Sequence, residues 1–482
     1  MQSKKSNPTG VVVLITSMVT LVVMVLISCQ KPMPEINLTE LSGDAYPGGD
    51  WQKIARPEQL GWSSSKLAEA RRYARKIDSA AVMIIDDGVV IDAWGDITRN
   101  FKAHSMRKSL LSGLMGAYVV EGTIDLSKSL AELNINDYPN RLSEIEKQAT
   151  VGDLVKARSG IYIEALGESP DMKARRPGRH SHLPGSFWYY NNWDFNALGT
   201  IFEQETGEDL FEAFDQQLAR PLQMQDFDPT NCRYRNSSDY GTPGLTMHRY
   251  YDIRMSARDL ARFGLLFLRE GRWQGHQILP QKWIGESTAT HSRIGNNSGY
   301  GYMWWTGSGT GLYENIRLKN HAYSAAGWGG HRLIVLPWRK LIIVHRVDTD
   351  QPGKMVDRHQ IGRLLWHILD AAGEDNIGFK PTIEAASGIR LNGRQLEANL
   401  PGCSIRGPDF RVKLTRDYRF ELWSDGKQVD AGLWGIQANR FWLKSKIVTD
   451  GHKAHMAMVL DGNRLKWYDR HGTLIGQGII NK

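Results

Sequence analysis

The pattern of hydrophobic and polar positions predicts two β-hairpins that bracket a helical region. Apolar runs over 81–85 and 89–94 flank Asp86-Asp87-Gly88, and two apolar runs around such a turn are typical of a hairpin. A second hairpin is predicted where the runs 331–336 and 341–345 flank a short turn that begins with proline. We expect the two hairpins to pair in one antiparallel sheet.

Helical periodicity marks four further segments of this region. An amphipathic helix is predicted over 65–76, and a largely apolar helix over 105–120 is expected in the centre of the domain. Ser256 begins a third helix with a capping pattern, and a closing helix is predicted over 361–372. A single strand is predicted over 300–305. These elements favour an α+β domain, in which helices flank the sheet and a helical insert separates its hairpins.

Beyond a linker at 373–382 the periodicity becomes that of an antiparallel meander. Its short strand-like runs lie over 420–423, 429–434, 441–448, 455–460, 465–468 and 474–480. The sequence therefore predicts a small C-terminal all-β domain over 383–482, a barrel or sandwich, behind a larger domain over 51–372. A length of 482 residues also favours two domains over one.

The first 29 residues have the pattern of an export signal. Lys4 and Lys5 precede an apolar run from Val11 to Ile27, and a small residue directly precedes Cys29 at its end. This end resembles a bacterial lipobox, so residues 1–29 are predicted to be a lipoprotein signal peptide and Cys29 the lipidation site. A transmembrane anchor is the alternative, although about 17 apolar residues is short for one.

The predicted lipid sets the expected location of the protein. Residues 30–50 contain several prolines and glycines and are predicted to tether the domain to a membrane through lipidated Cys29. Gln30 after the cysteine resembles outer-membrane sorting signals. We therefore expect the protein in the cell envelope, anchored in the outer membrane of a Gram-negative bacterium and facing the periplasm.

Charge and cysteine content exclude few classes of function. The net charge is +8, and removal of Lys4 and Lys5 leaves +6 without any long basic run, so a nucleic-acid partner is not expected. Cys232 and Cys403 fall in different predicted domains, so two free thiols and a disulfide both stay open. No cysteine and histidine spacing indicates a metal site, and no cofactor is expected.

Ser105-Met106-Arg107-Lys108 fits the motif S-x-x-K at the start of the apolar helix. Residues three apart on a helix share a face, so the Lys108 amine is expected beside the Ser105 hydroxyl. Burial disfavours the charged amine, and a neutral amine can take the serine proton. The same spacing occurs at Ser63…Lys66 and Ser424…Lys427. However, Ser63 precedes a solvated helix, and Ser424 adjoins a turn of the β-meander.

Tyr190-Asn191-Asn192 fits a second motif, Y-x-N. A tyrosine near a buried lysine can share its proton, and the Asn192 amide can bind a substrate carbonyl and the lysine. Tyr138…Asn140 and Tyr234…Asn236 match the same spacing. Only Tyr190 lies in a segment that begins with Pro184-Gly185 and continues into an apolar run.

These motifs, in this order, resemble the class C β-lactamase-related serine hydrolases. That family includes class C β-lactamases, D-alanyl-D-alanine carboxypeptidases, β-lactamase-like esterases and aminohexanoate-dimer hydrolases, and the resemblance spans about residues 60 to 350. The matching segments are Trp94-Gly95, Ser105 to Ser109, Glu121 to Leu126, Thr150 to Leu154 with Ser159-Gly160, Pro184-Gly185, Tyr190 to Asn192, Ser256 to Gly264 and Tyr300 to Trp305. Asn191 replaces the usual serine of the family's Y-S-N.

The resemblance implies a β-lactamase/transpeptidase-like fold and a set of residue roles. Ser105 is implied to be the acyl-accepting nucleophile, Lys108 and Tyr190 to activate it and relay its proton, and Asn192 to orient the substrate. The strand segment Ala325 to Gly330 matches the family's K-T-G or H-x-G motif, and here Gly327 and the Trp328 backbone N–H are implied to bind substrate. Candidates for the cationic group missing at Ala325 are Lys319, His321, His331 and Arg332.

The expected function is therefore a serine hydrolase that forms an acyl-enzyme on Ser105. Its substrate is expected to be a small-molecule or peptide-like ester or amide without a strictly required carboxylate. Two alternatives stay open. One is a β-lactamase or D-alanyl-D-alanine carboxypeptidase acting on the cell wall, and the other is a non-catalytic envelope lipoprotein that retains the fold.

Overall fold

The computed structural model describes residues 33–40, 44–374, 377, 389–390, 395–397, 400–407, 409–424, 426–437, 440–445, 449, 454–461, 464–468 and 474–481. The predicted signal peptide and Cys29 lie outside these ranges. Inside the predicted tether, Glu35–Ile36 forms a short strand that pairs in parallel with Lys53–Ile54. Within the described ranges, no helix combines the length and apolarity that crossing a bilayer requires.

A sheet of ten strands forms the centre of the larger domain. Its strands, in spatial order, are Glu35–Ile36, Lys53–Ile54, Val89–Gly95, Ala81–Asp86, Leu341–Arg346, Arg332–Leu336, Leu318–Ala326, Trp305–Gly309, Ser298–Tyr300 and Ser292–Gly295. The two predicted hairpins are confirmed, and they pair with each other through Leu341–Arg346 and Ala81–Asp86. The first two strands add parallel pairs at one edge, so the sheet is mixed rather than wholly antiparallel.

Both faces of this sheet are covered, which explains the unbroken apolar run of its central strand. Met83 and Ile85 belong to one hydrophobic cluster, and Val82 and Ile84 to a second cluster on the opposite face. All four side chains are fully buried. Because alternate residues of a strand point to opposite faces, a strand covered on both sides needs an apolar residue at every position.

Helices form the two outer layers. Ser64–Lys76 and Arg358–Ala371 pack together on one face, and Ala257–Leu268 covers the other. Met106–Val120 lies behind the last of these, and Gly116 lets the Trp283 ring approach it, since a Cβ there would meet that ring at 2.4 Å. The remaining helices are Val151–Val155, Pro170–Arg175, Asn192–Thr206, Leu210–Phe214, Asp215–Ala219 and Gln281–Thr288.

The prediction of one continuous strand over 300–305 is wrong. Ser298–Tyr300 and Trp305–Gly309 are separate strands that pair with each other, and the chain turns between them. Met303 has a φ of 64°, and a Cβ on Gly301 would lie 2.2 Å from the carbonyl oxygen of Ser287. The apolar residues of this stretch are buried in the turn, so hydrophobicity alone does not separate the two conformations.

The C-terminal domain is a closed antiparallel barrel of eight strands. They are Ser404–Arg406, Phe410–Leu414, Arg419–Ser424, Lys427–Gln437, Arg440–Ser445, Ala454–Asp461, Arg464–Tyr468 and Leu474–Asn481. Pairing of Ala454–Asp461 with Arg464–Tyr468 closes the barrel, and Ile389–Arg390 adds a short strand outside it. The barrel confirms the predicted all-β domain and adds the two strands before residue 415. Cys232 and Cys403 are both buried and are not joined by a disulfide.

Asp259 joins two parts of the larger domain, and its removal is expected to destabilise the fold. Its buried carboxylate accepts backbone N–H groups of Gln225, Asp226 and Phe227, each at 2.8 Å. Asp259→Ala leaves these donors without that acceptor, and we expect the free energy of unfolding to fall by about 3 kcal/mol or more. Urea unfolding measures this loss. Asp239→Ala, which removes an exposed turn hydrogen bond, is expected to cost about 1 kcal/mol or less; equal losses would contradict the assignment.

Candidate active site

Ser105 lies directly before the helix Met106–Val120 and is held by the segment that precedes it. Phe101–Lys102 pairs with Arg254–Met255, and the buried Arg346 guanidinium donates to the carbonyl oxygens of both Phe101 and Lys102. His104 has a φ of 48° and lies 2.8 Å from the Thr349 hydroxyl. The backbone thus turns sharply at His104, which places Ser105 at the helix start.

Lys108 is the buried centre of the site. Its Nζ lies 3.2 Å from Ser105 Oγ, 2.6 Å from Tyr190 Oη and 2.7 Å from Asn192 Oδ1. Lys108 is 1% exposed, and no described carboxylate forms an ion pair with it. The structure therefore brings the residues of both sequence motifs to one amine.

The protonation state of the site follows from its burial. Desolvation lowers the pKa of the Lys108 amine well below its usual value, and the neighbouring Arg107 cation lowers it further. Desolvation also raises the pKa of the Tyr190 hydroxyl, although a hydrogen bond with Ser105 and the charge of Arg107 oppose this shift. Both shifts favour the uncharged forms, the neutral amine of Lys108 and the protonated phenol of Tyr190.

The hydrogen bonds around Lys108 depend on the protonation state of its amine. A charged amine can donate to all three oxygens, whereas burial favours the neutral amine. Such an amine has two hydrogens and one lone pair. Asn192 Oδ1 can only accept, so it takes one of the hydrogens. Since only one hydrogen is left for the two hydroxyls, Ser105 or Tyr190 directs its own hydrogen to the lone pair. In its neutral form the amine therefore has a lone pair directed at a hydroxyl whose proton it can receive.

The two asparagines of the second motif have different surroundings. Asn192 Nδ2 donates to the Gly167 carbonyl at 2.7 Å, which orients its Oδ1 to accept from Lys108. Asn191 caps the helix Asn192–Thr206, and its Nδ2 donates to Asp194 and to the Ile161 carbonyl. Asn191, at the position of the family's usual serine, therefore orders the loop rather than facing the lysine.

Aromatic side chains form one wall of the site. The Tyr190 ring stacks on Trp305 with centroids 5.3 Å apart, and Phe195 lies 5.1 Å away. Trp305 also contacts Trp188. Two other tryptophans of neighbouring segments, Trp193 and Trp304, are fully buried and belong to the core. Of these four tryptophans, Trp188 and Trp305 are the two that are partly exposed.

The strand Leu318–Ala326 presents a free edge beside Ser105. Its pairing with Trp305–Gly309 stops at Ser324, while Ala325 and Ala326 remain paired on the other side with Leu333 and Arg332. Gly327 packs against this part of the site, since a Cβ there would lie 2.6 Å from the Ala103 carbonyl oxygen. Trp328 is 51% exposed and packs edge-on against His104. The free edge of this strand therefore ends next to His104, the residue before Ser105.

Of the four candidates for a missing positive charge, Arg332 is the one whose cationic group contacts this edge. Its Nη1 donates to the carbonyl oxygens of Gly327 and His331, and it borders a cavity of about 280 Å³ that Trp305 and Ala326 also line. The other three are engaged elsewhere. Lys319 pairs with Glu374, His321 bonds to the Thr288 carbonyl, and buried His331 accepts from Arg346.

Arg107 is the residue of the site that the sequence reasoning missed. It is fully buried between the rings of Tyr250 and Tyr251, at 3.9 and 4.0 Å, and donates to Asn196. The sequence did indicate that Arg107 is buried, because a second cation next to Lys108 on an apolar helix has no solvated position. The competing motifs differ clearly: Lys66 is half-exposed and pairs with Asp370, and Ser424 bonds to the Asp409 carbonyl.

Comparisons with known proteins agree with this geometry. The model of the β-lactamase family matches residues 65–365. The 6-aminohexanoate-dimer hydrolase of Paenarthrobacter ureafaciens is 24% identical over 290 residues, which cover 56% of this chain and 70% of that protein. The octameric penicillin-binding protein homologue from Pyrococcus abyssi has 14% identity and a TM-score of 0.50, and the match covers 86% of this chain and 99% of that one.

A further solved structure, the penicillin binding protein from Bacillus halodurans, has 13% identity and a TM-score of 0.45, and covers 63% of this chain and 99% of its own. At 14% identity the Pyrococcus abyssi structure shows the fold alone. The family match spans more than half of the chain and contains Ser105, Lys108 and Tyr190. The chain therefore belongs to the β-lactamase family and is a hydrolase of the serine β-lactamase-like kind.

Proposed function

We propose that the protein hydrolyses an ester or amide through an acyl-enzyme on Ser105. The observation that carries this proposal is the contact of one buried, unpaired amine, Lys108, with the hydroxyls of Ser105 and Tyr190. A serine hydroxyl needs a base to become a nucleophile, and a desolvated lysine provides one at neutral pH. Relay of the proton between Lys108 and Tyr190 completes the reaction without a cofactor.

The proton path has four steps. Ser105 Oγ attacks the substrate carbonyl carbon while its proton moves to Lys108 Nζ, and negative charge collects on the carbonyl oxygen. The leaving alkoxide or amine then takes the Tyr190 proton as the carbon bond to it breaks, and Lys108 returns its proton to Tyr190. Water attacks the acyl ester by the same relay in reverse, which releases a carboxylic acid and restores Ser105.

Stabilisation of the carbonyl oxygen is assigned to two backbone N–H groups, those of Ser105 and Trp328. Ser105 stands at a helix start, where backbone donors and the helix dipole favour negative charge. Trp328 begins the turn after the free strand edge. A substrate that lies along Ala325 to Gly327 brings its carbonyl between these two groups.

Ala325 directs the proposal toward an ester or amide without a required carboxylate. Its side chain is 2% exposed and packs in the core, so this position offers no charge to an acidic substrate group. The named activity of the Paenarthrobacter relative, hydrolysis of a 6-aminohexanoate dimer, is consistent with a small amide substrate. The competing function is that of a β-lactamase or D-alanyl-D-alanine carboxypeptidase, and penicillin acylation of Ser105 distinguishes it.

A fluorophosphonate probe and intact-mass measurement test the nucleophile. We use the chain from Gln30 onward, which retains every described residue and carries no lipid. One adduct on this protein and none on Ser105→Ala is the expected result. Ser63→Ala, which alters the second S-x-x-K motif, serves as the matched control and should label fully. A folded protein that takes no adduct would favour the non-catalytic lipoprotein, and labelling of Ser105→Ala would exclude Ser105.

The pH dependence is expected to report the Lys108 amine. Catalysis requires the neutral amine, so kcat/KM for a neutral ester should fall as the pH drops through the lowered pKa of Lys108. Arg107→Gln removes the cation that helps to lower this pKa, so the acid limb of the profile should move to higher pH. Arg107→Lys keeps the charge and should keep the limb in place. An identical profile in both variants would contradict this electrostatic role.

We also propose that the signal over 1–29 places lipidated Cys29 in the envelope, with the hydrolase facing the periplasm. The observation that supports this is the n-region, apolar run and small residue before the cysteine. Metabolic labelling with palmitate tests it, because incorporation should be lost in Cys29→Ala.

A further inference from the structure

The turn over 327–331 (the oxyanion turn) packs directly against the segment that carries the nucleophile. A Cβ on Gly327 would lie 2.6 Å from the Ala103 carbonyl oxygen and 3.4 Å from the Cβ of His104. The two N–H groups assigned to the substrate's carbonyl oxygen come directly after Gly327 in the turn and directly after His104 in the segment. The spacing of these two groups therefore depends on what holds the turn and the segment together.

Thr349 contacts both the turn and the segment. Its Oγ1 lies 2.8 Å from Nε2 of His104 and 3.3 Å from Nε2 of His331, the fully buried residue that ends the oxyanion turn. Its methyl group fills the space beside Gly329, where a Cβ would lie 2.4 Å from Thr349 Cγ2. One side chain thus joins the residue before the nucleophile to two positions of the turn.

The hydrogen bonds of this contact have a direction. Because a guanidinium has no acceptor, Arg346 Nε donates to His331 Nδ1 at 3.0 Å. Desolvation and the Arg346 charge lower the pKa of the His331 imidazole well below its usual value, so the neutral ring carries its hydrogen on Nε2 and donates it to Thr349. Burial lowers the pKa of His104 to about 4, and this neutral ring can accept the Thr349 hydroxyl hydrogen.

Two further contacts support the turn and the segment at their outer ends. Arg346 Nη2 donates to the carbonyl oxygens of Phe101 and Lys102, so the row of hydrogen bonds begins and ends on the segment that carries the nucleophile. His345 Nδ1 donates to the Gly330 carbonyl at 2.8 Å and holds the far part of the oxyanion turn. Loss of the Thr349 hydroxyl should therefore displace the turn without releasing it.

We propose that Thr349 is a positioning residue for the reaction on Ser105. Its hydroxyl holds the oxyanion turn against His104, and this contact sets the distance between the backbone N–H groups of Ser105 and Trp328. The inference rests on the proposed function. The hydrogen bonds of Lys108 do not involve Thr349, so the proton relay keeps its geometry when the hydroxyl is removed. Only the stabilisation of the charged carbonyl oxygen is lost.

Thr349→Val tests this role, because it removes the hydroxyl and keeps the methyl group beside Gly329. With nitrophenyl trimethylacetate and the chain from Gln30 onward, acylation and deacylation of Ser105 should each slow by about 10²-fold. The hindered acyl group hydrolyses slowly, so infrared difference spectroscopy with an isotope-labelled carbonyl can record the acyl-enzyme. Hydrogen bonds from the two N–H groups lower the carbonyl stretching frequency, and the frequency should rise in Thr349→Val. Thr349→Ser keeps the hydroxyl and should retain the lower frequency and most of the rate.

Thr200→Val is the matched control. Thr200 Oγ1 lies 3.0 Å from Nδ1 of buried His248, so this variant also removes a hydroxyl from a buried imidazole and should change neither rate nor frequency. An unchanged carbonyl frequency in Thr349→Val, or equal rate losses in the two valine variants, would overturn the inference alone. An unaltered protein that forms no acyl-enzyme would overturn the proposed function with it. If Thr349→Val does not fold, Thr349→Ala and Thr349→Ser, which differ only by the hydroxyl, provide the same comparison.

Discussion

Replacing Lys108 with methionine is expected to slow acylation of Ser105 by about 10³-fold. Methionine has nearly the same length and remains apolar, so the packing around the helix Met106–Val120 is preserved while the base is removed. The Ser105 hydroxyl then loses the amine at 3.2 Å that accepts its proton. The rate of fluorophosphonate labelling and kcat/KM for a neutral ester both measure the loss.

Lys66→Met is the matched control for this experiment. Lys66 has the same spacing from Ser63 that Lys108 has from Ser105, but it is half-exposed and pairs with Asp370 at 2.9 Å. We expect the acylation rate of Lys66→Met to equal that of the unaltered protein. A Lys108→Met protein that labels at a normal rate would show that another group takes the serine proton.

Stability should move in the opposite direction from activity in Lys108→Met. The folded chain lowers the pKa of this amine, so below the pKa of the unfolded state the unfolded chain binds a proton that the folded chain does not. Native Lys108 therefore destabilises the fold at neutral pH, and this penalty fades as the pH rises toward the unfolded pKa. Methionine removes the penalty. A lower activity together with an equal or greater unfolding free energy separates a chemical role from a structural one.

The site could be predicted because its chemistry depends on local spacing. Ser105 and Lys108 share a helix face at any tertiary arrangement, and an apolar helix implies a buried amine. Tyr190 is 82 residues from Lys108, and only the order of the family motifs connected them before the structure showed the 2.6 Å contact. Arg107 and Trp305 remained unassigned, because neither spacing nor order indicates which ring packs on which charge.

The fold was predictable where one physical rule decided each segment. The runs 81–85 and 89–94 had apolar residues and a turn between them, and both became strands. Residues 301–304 are as apolar as their neighbours, but backbone packing on Ser287 turns them out of the sheet.

Replacing Tyr190 with phenylalanine is expected to reduce activity in a way that depends on the leaving group. The raised pKa of the Tyr190 hydroxyl keeps its proton in place at neutral pH, where it can be transferred to a departing group. An amide or alkyl ester needs that proton as its bond breaks, so kcat/KM should fall by about 10²- to 10⁴-fold. A nitrophenyl ester releases a stable anion without it, and we expect a loss of less than about tenfold.

Tyr189→Phe provides the control, since the neighbouring hydroxyl donates to the Met172 carbonyl and does not contact Lys108. It should leave the rates for both classes of ester and for the amide unchanged. The ratio between alkyl-ester and nitrophenyl-ester activity is the informative quantity, because a general distortion of the loop would lower both rates together. An unchanged ratio in Tyr190→Phe would assign the leaving-group proton to Lys108 alone, and would leave Tyr190 as the residue that holds the amine in position.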